Sequence, residues 1–411
     1  MGSELPELAA LRALLADTPI AADMIQGPGR SSHTGEDDPL LDALATVPGH
    51  DPDVAFMGAA IRLACSGTGA TYPNPCVGAV VVKAGRVVGA GRSAATGGPH
   101  AEVQALRMAG TAARGATVYV TLEPCSHHGR TPPCTSALIS AGVAEVAFSV
   151  RDPARHAAGH AGDVLSAAGI RVREGVGAAL GVSVHEHYLH HETQRRPFVT
   201  LKAATSLDGR IAAHGGDSKW ITGEPARRVG HWLRARHHAI VVGVDTLLRD
   251  DPRLDVRLVH GVNPLPILVD SRLRSVLADP WPQRLRAGTI VLHTEDAPEE
   301  RRLRLRDAGL QLISLPSDEH GRVAISPALD ALGRLPIRSL LVEGGGRLLA
   351  SFVAAAAWDR WYWFQAPLLL GDGAPVLPGL TWPSVAQSPR LRVELRLGIG
   401  DDDLRVLRRC L

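Results

Sequence analysis

Three separate segments of this chain must meet at one point if its most distinctive side chains share a metal: His100-Ala101-Glu102, Pro124-Cys125 and Cys134. They offer one imidazole, two thiols and a carboxylate that need not touch the ion, a set that suits a catalytic zinc. Three protein ligands leave the fourth tetrahedral position for water, whose pKa zinc lowers to about 7. A closed structural zinc would need a fourth protein ligand. In the blander reading His100 caps a helix, Glu102 is a surface acid and both cysteines are buried hydrophobes.

The flanking patterns supply a frame for that convergence. VAFMGAAIRLA reads as a helix, and VGAVVVKAGRVVGAG as two β-branched strands around a tight turn at Ala84-Gly85. HAEVQALRMAG is expected helical, ATVYVTLEP a strand running to Pro124, TPPCTSALISAG helical and VAEVAFSV a strand. Thr131-Pro132-Pro133 reads as a cap and first turn, which puts Cys134 near a helix N-terminus where the dipole favours thiolate. Cys125, at the end of its strand, is expected to face the same crevice. Residues two apart do not share a face in mid-helix, so His100 and Glu102 are expected where Gly97-Gly98-Pro99 bends the chain into its helix. There Glu102 can carry protons, as the glutamate of the H-x-E motif does in zinc deaminases.

A chain of 411 residues exceeds the roughly 250 to 300 at which a single core stops growing, so two domains are expected. Residues 1–50, which include QGPGRSSHTGEDDP, read as a flexible extension with no assigned function. Residues 51–195 form the first expected domain and 196–411 the second, where AIVVGV, PILVD, TIVLHT and SLLVEGG recur as strands among helical and loop segments. A net charge of +2 and an aromatic content of 4% give neither the field nor the stacking platforms for nucleic acid, so no nucleic-acid partner is expected. No long apolar run suggests a membrane span, and MGSELPELAALRALLADTP lacks a secretory pattern, so a cytoplasmic enzyme is expected. Five scattered cysteines argue against a disulfide framework. His185, His187, His190 and His191 could meet on a helical face to bind metal, but an exposed linker helix is the plainer account.

Eight residues separate Cys125 from Cys134, where the usual zinc-deaminase signature has two. With that gap, PCSHHGRTPPC and HAEVQAL resemble the bifunctional riboflavin-biosynthesis deaminase/reductase family, and TYPNPCVGAVVV resembles its N-terminal motif. KAATSLDGRIA, GDSKWIT, AIVVGVDTLLRDDPRLDVR and LVEGGGRLLASF resemble its reductase half in the same order, so the resemblance spans roughly residues 53–405.

The resemblance implies an α/β protein: an N-terminal cytidine-deaminase-like α/β/α sandwich followed by a dihydrofolate-reductase-like α/β domain. It implies one zinc ion at His100, Cys125 and Cys134, with Glu102 as proton shuttle and substrate contacts at Asn74, His127 and Arg130. Arginine suits a phosphorylated substrate because guanidinium pairs with phosphate through two parallel hydrogen bonds. For the second half it implies NADPH held without a G-x-G-x-x-G fingerprint, at Ala204, Trp220, Thr246, Asp250, Ser271, Gly344, Gly345, Gly346 and Arg347. The glycines follow a strand and open a helix, so bare amides can approach a cofactor phosphate. Lys202, Ser218, Arg234, Leu254, Arg257 and Glu343 are implied at the substrate; core packing is the alternative for Trp220 and Leu254, surface charge for Lys202, Arg234 and Arg257.

The implied reactions are deamination of 2,5-diamino-6-ribosylamino-4(3H)-pyrimidinone 5′-phosphate and NADPH reduction of the ribosyl side chain to give 5-amino-6-ribitylaminouracil 5′-phosphate, in a homo-oligomer. The chain departs from the family pattern at Ser93, where histidine is common, at Ala154, Arg155 and Ala161, and at Arg360, where an acid is common. Those departures leave two alternatives: a paralogue acting on a related pyrimidine in a specialised pathway, or a deaminase with a decayed reductase half.

Overall fold

The computed structural model describes residues 51–128, 132–154, 160–278, 285 and 287–410, so the expected extension over 1–50 and the side chains of Arg130, Thr131 and Arg155 lie outside the described residues. Two compact units divide between Gln194 and Arg195. No helix among the described residues is long and apolar enough to cross a membrane.

The first unit is built on strands β1 (Gly78–Lys83), β2 (Arg86–Arg92), β3 (Thr117–Val120), β4 (Glu145–Phe148) and β5 (Arg171–Glu174), in the order β2-β1-β3-β4-β5. β1 pairs antiparallel with β2 and β3, while β3, β4 and β5 run parallel. The β1–β2 hairpin turns through Ala84 (φ 50°) and Gly85 (φ 75°), the two positive-φ positions a type I′ connection requires. Both sheet faces are buried, and alternation along β1 serves each: Ala79 and Val81 join Ala105, Val118 and Leu138, while Val80 and Val82 join Met57, Ile61 and Tyr119.

Helix α1 (Pro52–Gly67) covers one face, and α2 (Ala101–Ala109) and α3 (Cys134–Ala141) contribute to the other. Glycines set how closely the helices approach. A Cβ at Gly78 would lie 1.9 Å from the Ala60 carbonyl of α1, and one at Gly91 would lie 2.4 Å from the Ala101 carbonyl of α2. Close seating of α2 on β2 fixes where the start of that helix, with its histidine and glutamate, can be.

The unit closes with α4 (His160–Ala167), α5 (Ala178–Val184) and α6 (Glu186–Gln194). The histidine-rich run is therefore two helices with His185 between them, and it is not an exposed linker. His185 and His191 are buried, and His185 Nε2 hydrogen-bonds Thr121 Oγ1 at 2.9 Å. The strand expected to reach Pro124 ends at Val120. Beyond it Thr121 turns its hydroxyl to accept from Gly78 N at 3.1 Å, so the segment that carries Cys125 leaves the ladder.

The second unit holds a nine-stranded sheet of β6 (Phe198–Thr205), β8 (Ala239–Gly243), β9 (Leu265–Val269), β10 (Ile290–Thr294), β11 (Gln311–Leu315), β12 (Ser339–Glu343), β13 (Arg360–Gln365), β15 (Leu391–Ile399) and β16 (Asp402–Arg409). β7 (Arg210–Ala212) and β14 (Ala374–Pro375) pair apart from it. The order is β11-β10-β9-β8-β12-β6-β13-β16-β15, parallel from β11 through β13 and antiparallel thereafter. Insertion of β12 between β8 and β6 creates a crevice at the carboxyl ends of these strands, where open α/β sheets hold their ligands. Among the helices, α7 (Glu224–Arg236), α8 (Val244–Asp250) and α11 (Gly346–Ala354) reach that edge, whereas α9 (Glu299–Asp307) and α10 (Ile325–Gly333) mainly cover the sheet.

Candidate active sites

In the first unit His100 is the N-cap of α2, with extended backbone (φ −72°, ψ 164°), and Glu102 lies in the first turn. The bend at the cap lets side chains two apart serve one site. Cys134 is the first residue of α3, whose N-cap is Pro133 with no side-chain cap bond. Its backbone N donates to Cys125 Sγ at 3.2 Å, so the start of the helix holds the other sulfur as well.

His100 Nδ1 lies 3.1 Å from Cys134 Sγ and 3.6 Å from Cys125 Sγ, and one ligand atom from each of the three residues fits within 4.8 Å of the others. Two ionised sulfurs at that spacing repel, and the protonation pattern reflects it. The Cys134 hydrogen bond, offset in part by burial and aided by His100, lowers Cys125 to about 4, whereas Cys134 is pushed up by its bond to Cys125 and by burial. A divalent cation removes that conflict by accepting both thiolates, so the donor chemistry fits zinc. Glu102 is 3% exposed, and burial above all raises its pKa, as the negative Cys125 does too.

Glu123, which the sequence did not single out, helps to hold this geometry, as do His185 and Ser93 in roles that the sequence did not suggest. The buried Glu123 accepts from Asp152 N and Ala161 N, both at 3.2 Å, and so ties a loop and the first turn of α4 to the segment before Cys125. Burial lowers His185 to about 4, which keeps its ring neutral against Thr121. Ser93, the departure from the family pattern, exchanges hydrogen bonds with Val77: its Oγ accepts from Val77 N at 3.1 Å and its N donates to Val77 O at 2.8 Å. Asn74 is exposed, its backbone closing a turn with Thr71, and His127 is half-buried.

In the second unit Lys202 of β6 and Glu343 of β12 are direct partners across the ladder. Arg234 of α7 clamps the glutamate with Nε–Oε1 at 3.0 Å and Nη2–Oε2 at 2.7 Å, and donates from Nη1 to Asp255 O at 3.1 Å. Burial alone would raise Glu343, but Arg234 and then Lys202 outweigh it and hold the carboxyl at about 2. Burial pushes Lys202 down, Glu343 opposing and Arg234 adding to the shift; its Nζ sits 5.6 Å from the centre of the Phe364 ring. His231, held near 4 by burial and by Arg234 and Arg257, accepts from Arg257 N at 3.2 Å. Neither Lys202 nor Arg234 is a plain surface charge. Arg257 is partly exposed and tied to Asp255 at 2.8 Å. Leu254 takes a left-handed φ of 50° with its side chain in the core, so only its backbone can face a ligand. Trp220, by contrast, is 63% exposed with Arg227 4.5 Å above its ring, which excludes core packing there.

Gly344 (φ 148°) and Gly345 form a cradle that side chains would fill: a Cβ on either would lie 3.2 or 3.4 Å from Thr246 Oγ1, which accepts from Gly345 N at 2.9 Å. Gly346 serves packing instead, since a Cβ there would lie 2.7 Å from Pro375 O. Thr246, Ser271, Gly345 and Arg347 line one cleft of about 300 Å³; Ala204, Trp220, Asp250, Gly344 and Gly346 do not line it. A glycine cradle at a helix start, beside a cleft that also presents Ser271 and Arg347, fits a dinucleotide phosphate. Arg360 is buried in an ion pair with Glu394 at 3.2 Å and lies 5.7 Å from the Phe198 ring centre, so this departure has its counter-charge in the fold.

Residues 51–150 match the cytidine and deoxycytidylate deaminase zinc-binding region, and residues 197–397 match the RibD C-terminal domain. The riboflavin biosynthesis protein RibD of Aquifex aeolicus is 40% identical over 85% of this chain and 96% of its own length. This chain belongs to the RibD family. The Escherichia coli RibD is 38% identical over 85% of this chain and 97% of its own. Among solved structures, RibD of Acinetobacter baumannii superposes with a TM-score of 0.79 at 34% identity, covering 88% of this chain and 99% of that one. A Thermotoga maritima diaminohydroxyphosphoribosylaminopyrimidine deaminase/5-amino-6-(5-phosphoribosylamino)uracil reductase superposes with a TM-score of 0.76 at 34% identity, covering 87% and 99%. The first unit is thus a cytidine-deaminase-like sandwich and the second the dihydrofolate-reductase-like domain of RibD proteins, with zinc and NADPH as the cofactors of the family.

Proposed function

We propose that this chain catalyses two consecutive steps of riboflavin biosynthesis: deamination of 2,5-diamino-6-ribosylamino-4(3H)-pyrimidinone 5′-phosphate, then NADPH reduction of its ribosyl side chain to the ribityl chain. The observation that carries the reading is the convergence of His100, Cys125 and Cys134 beside the buried Glu102, in a chain whose other half carries the glycine cradle. The Thermotoga protein's two named activities support the assignment.

His100, Cys125 and Cys134 would hold zinc, whose Lewis acidity makes water a usable nucleophile at neutral pH. Glu102, shielded from solvent, moves a proton from the attacking water toward the ring nitrogen and the departing amine, so water enters and ammonia leaves. Asn74, His127 and Arg130 orient the substrate, with the arginine on its phosphate. In the second unit the Gly344-Gly345 cradle, Thr246 and Ser271 would hold NADPH, which when bound would supply the hydride for the anomeric carbon. Lys202 and Glu343 orient the ribose hydroxyls at adjacent strand ends, Arg234 fixes the carboxylate, and Ser218, Arg257 and the Leu254 backbone complete the substrate side. Ala204, Trp220, Asp250, Thr246 and Ser271 border the cofactor. A cytoplasmic homo-oligomer belongs to the same reading; light scattering on the purified protein checks the assembly.

Turnover of the zinc-loaded protein on the diaminopyrimidinone phosphate tests the whole reading, with ammonia and NADPH followed in one sample. Ammonia release followed by equal NADPH loss is expected. Ammonia without oxidation would leave the reductase half inactive, and neither signal would overturn the substrate.

A further inference from the structure

The cleft at the carboxyl ends of β8 and β9 has two chemically different walls. One is the glycine cradle at the start of α11, where Gly345 N is held by Thr246 Oγ1 and the helix start is left clear of side chains, suited to a diphosphate. The other is built from the segment after β9 and from the turn Asp318–Arg322, and it supplies Arg272, Arg274 and Arg322. Four arginines line the cleft, counting Arg347, against one acid, Asp245, so the lining favours an anion beyond the one the cradle takes. Asp245 is already engaged by Arg274 at 2.6 Å and by Arg347 at 3.5 Å. Arg272 has no carboxylate within ion-pair distance among the described residues, although Asp296 feels its charge.

The cationic wall is held in place before any ligand arrives. Asp318 Oδ1 accepts from His320 N and Arg322 N, both at 2.9 Å, and Gly321 (φ 68°) closes the turn. Val323 N donates to Ser271 Oγ at 3.0 Å, which docks that turn on the end of β9. The Arg272 carbonyl is fixed by Arg301 Nη1 at 2.9 Å, and a Cβ at Gly321 would lie 3.7 Å from Arg272 Nη2, so the arginine reaches over the turn toward Arg322. Arg322 Nε lies 3.3 Å from Asp318 Oδ2 without hydrogen-bond geometry, leaving that buried donor without an acceptor.

A dinucleotide presents two kinds of phosphate, the central diphosphate and, in NADPH alone, a monoester on the adenosine ribose. A carboxylate at the ribose selects the free 2′-hydroxyl, whereas arginine selects the 2′-phosphate. We propose that Arg272 and Arg322 bind the 2′-phosphate of NADPH and set the preference of this reductase for NADPH over NADH. The assignment rests on the cofactor reading above and goes beyond it by naming the specificity residues.

The test is equilibrium binding to the zinc-loaded full chain by calorimetry, with adenosine 2′,5′-bisphosphate, adenosine 5′-monophosphate, NADPH and NADH as probes. Charge-assisted hydrogen bonds of this kind are each worth roughly tenfold or more in affinity. The wild type is expected to bind the bisphosphate at least about tenfold more tightly than the monophosphate. Arg272→Ala and Arg322→Ala are each expected to weaken bisphosphate and NADPH binding about tenfold while leaving monophosphate and NADH binding unchanged. Arg272→Lys, which keeps charge but loses the bidentate fork, is expected to fall between. Equal weakening of all four probes, or no change in either alanine variant, would overturn the assignment while leaving NADPH as the cofactor. A wild type that binds neither NADPH nor the bisphosphate would overturn the cofactor reading and the assignment with it.

Discussion

Glu102→Gln is expected to lower the rate constant for ammonia release by about 10²- to 10⁴-fold, the range that a positioned general acid–base contributes. The substitution keeps the volume of a side chain that is 3% exposed, so packing at the start of α2 is preserved. It leaves His100, Cys125 and Cys134 in place, and zinc content measured on the purified variant is expected to stay at the wild-type level. What is lost is the group that can take a proton in one half of the reaction and return it in the other. NADPH oxidation with the aminouracil phosphate as substrate is expected to continue at the wild-type rate, because the residues assigned to that step all belong to the second unit. Unchanged ammonia release would remove Glu102 from the chemistry. A variant that lost zinc along with activity would make its role structural.

The zinc site was legible because ligand chemistry restricts residue types. An H-x-E at a glycine-proline lead-in and a cysteine just after Pro132-Pro133 have few other uses, and both lie at helix starts. The β1–β2 hairpin was legible for a similar local reason, a β-branched run broken where two positive-φ residues are needed. Local signals failed where a side chain's role comes from distant neighbours. Thr121 and Glu123 extend the apolar run of β3 in sequence, yet one turns to Gly78 and His185 and the other gathers Asp152 and Ala161. His185 and His191 look like members of a polar surface run; tertiary packing buries them. In the second unit the glycine triplet reads as one motif, but it divides by function in space, with Gly344 and Gly345 bordering Thr246 and Gly346 pressed against Pro375.

Glu343→Gln is expected to destabilise the second unit by roughly 3 kcal/mol at pH 7, because it leaves Arg234 and Lys202 facing each other with their shared counter-charge removed. The carboxylate is 11% exposed and is held at about 2 against its usual 4.5, so solvent does little to soften the loss. The sign of the pH dependence follows from that depression. The stabilisation is complete above the unfolded value and is lost as pH falls through the folded one, so the gap between wild type and variant is expected to shrink by about 1 kcal/mol at pH 4 and about 2 kcal/mol at pH 3. All 7 tryptophans lie at or beyond Trp220, so their fluorescence during urea unfolding reports the second unit within the intact chain. A gap between wild type and variant that does not change from pH 7 to pH 3 would mean that the carboxylate is not held by the two cations. In the proposed reductase site the same clamp would also serve function: a carboxylate pinned by Arg234 through both oxygens would be pre-oriented for the ribose, so the stability of the pair and the orientation of the substrate would have one physical origin.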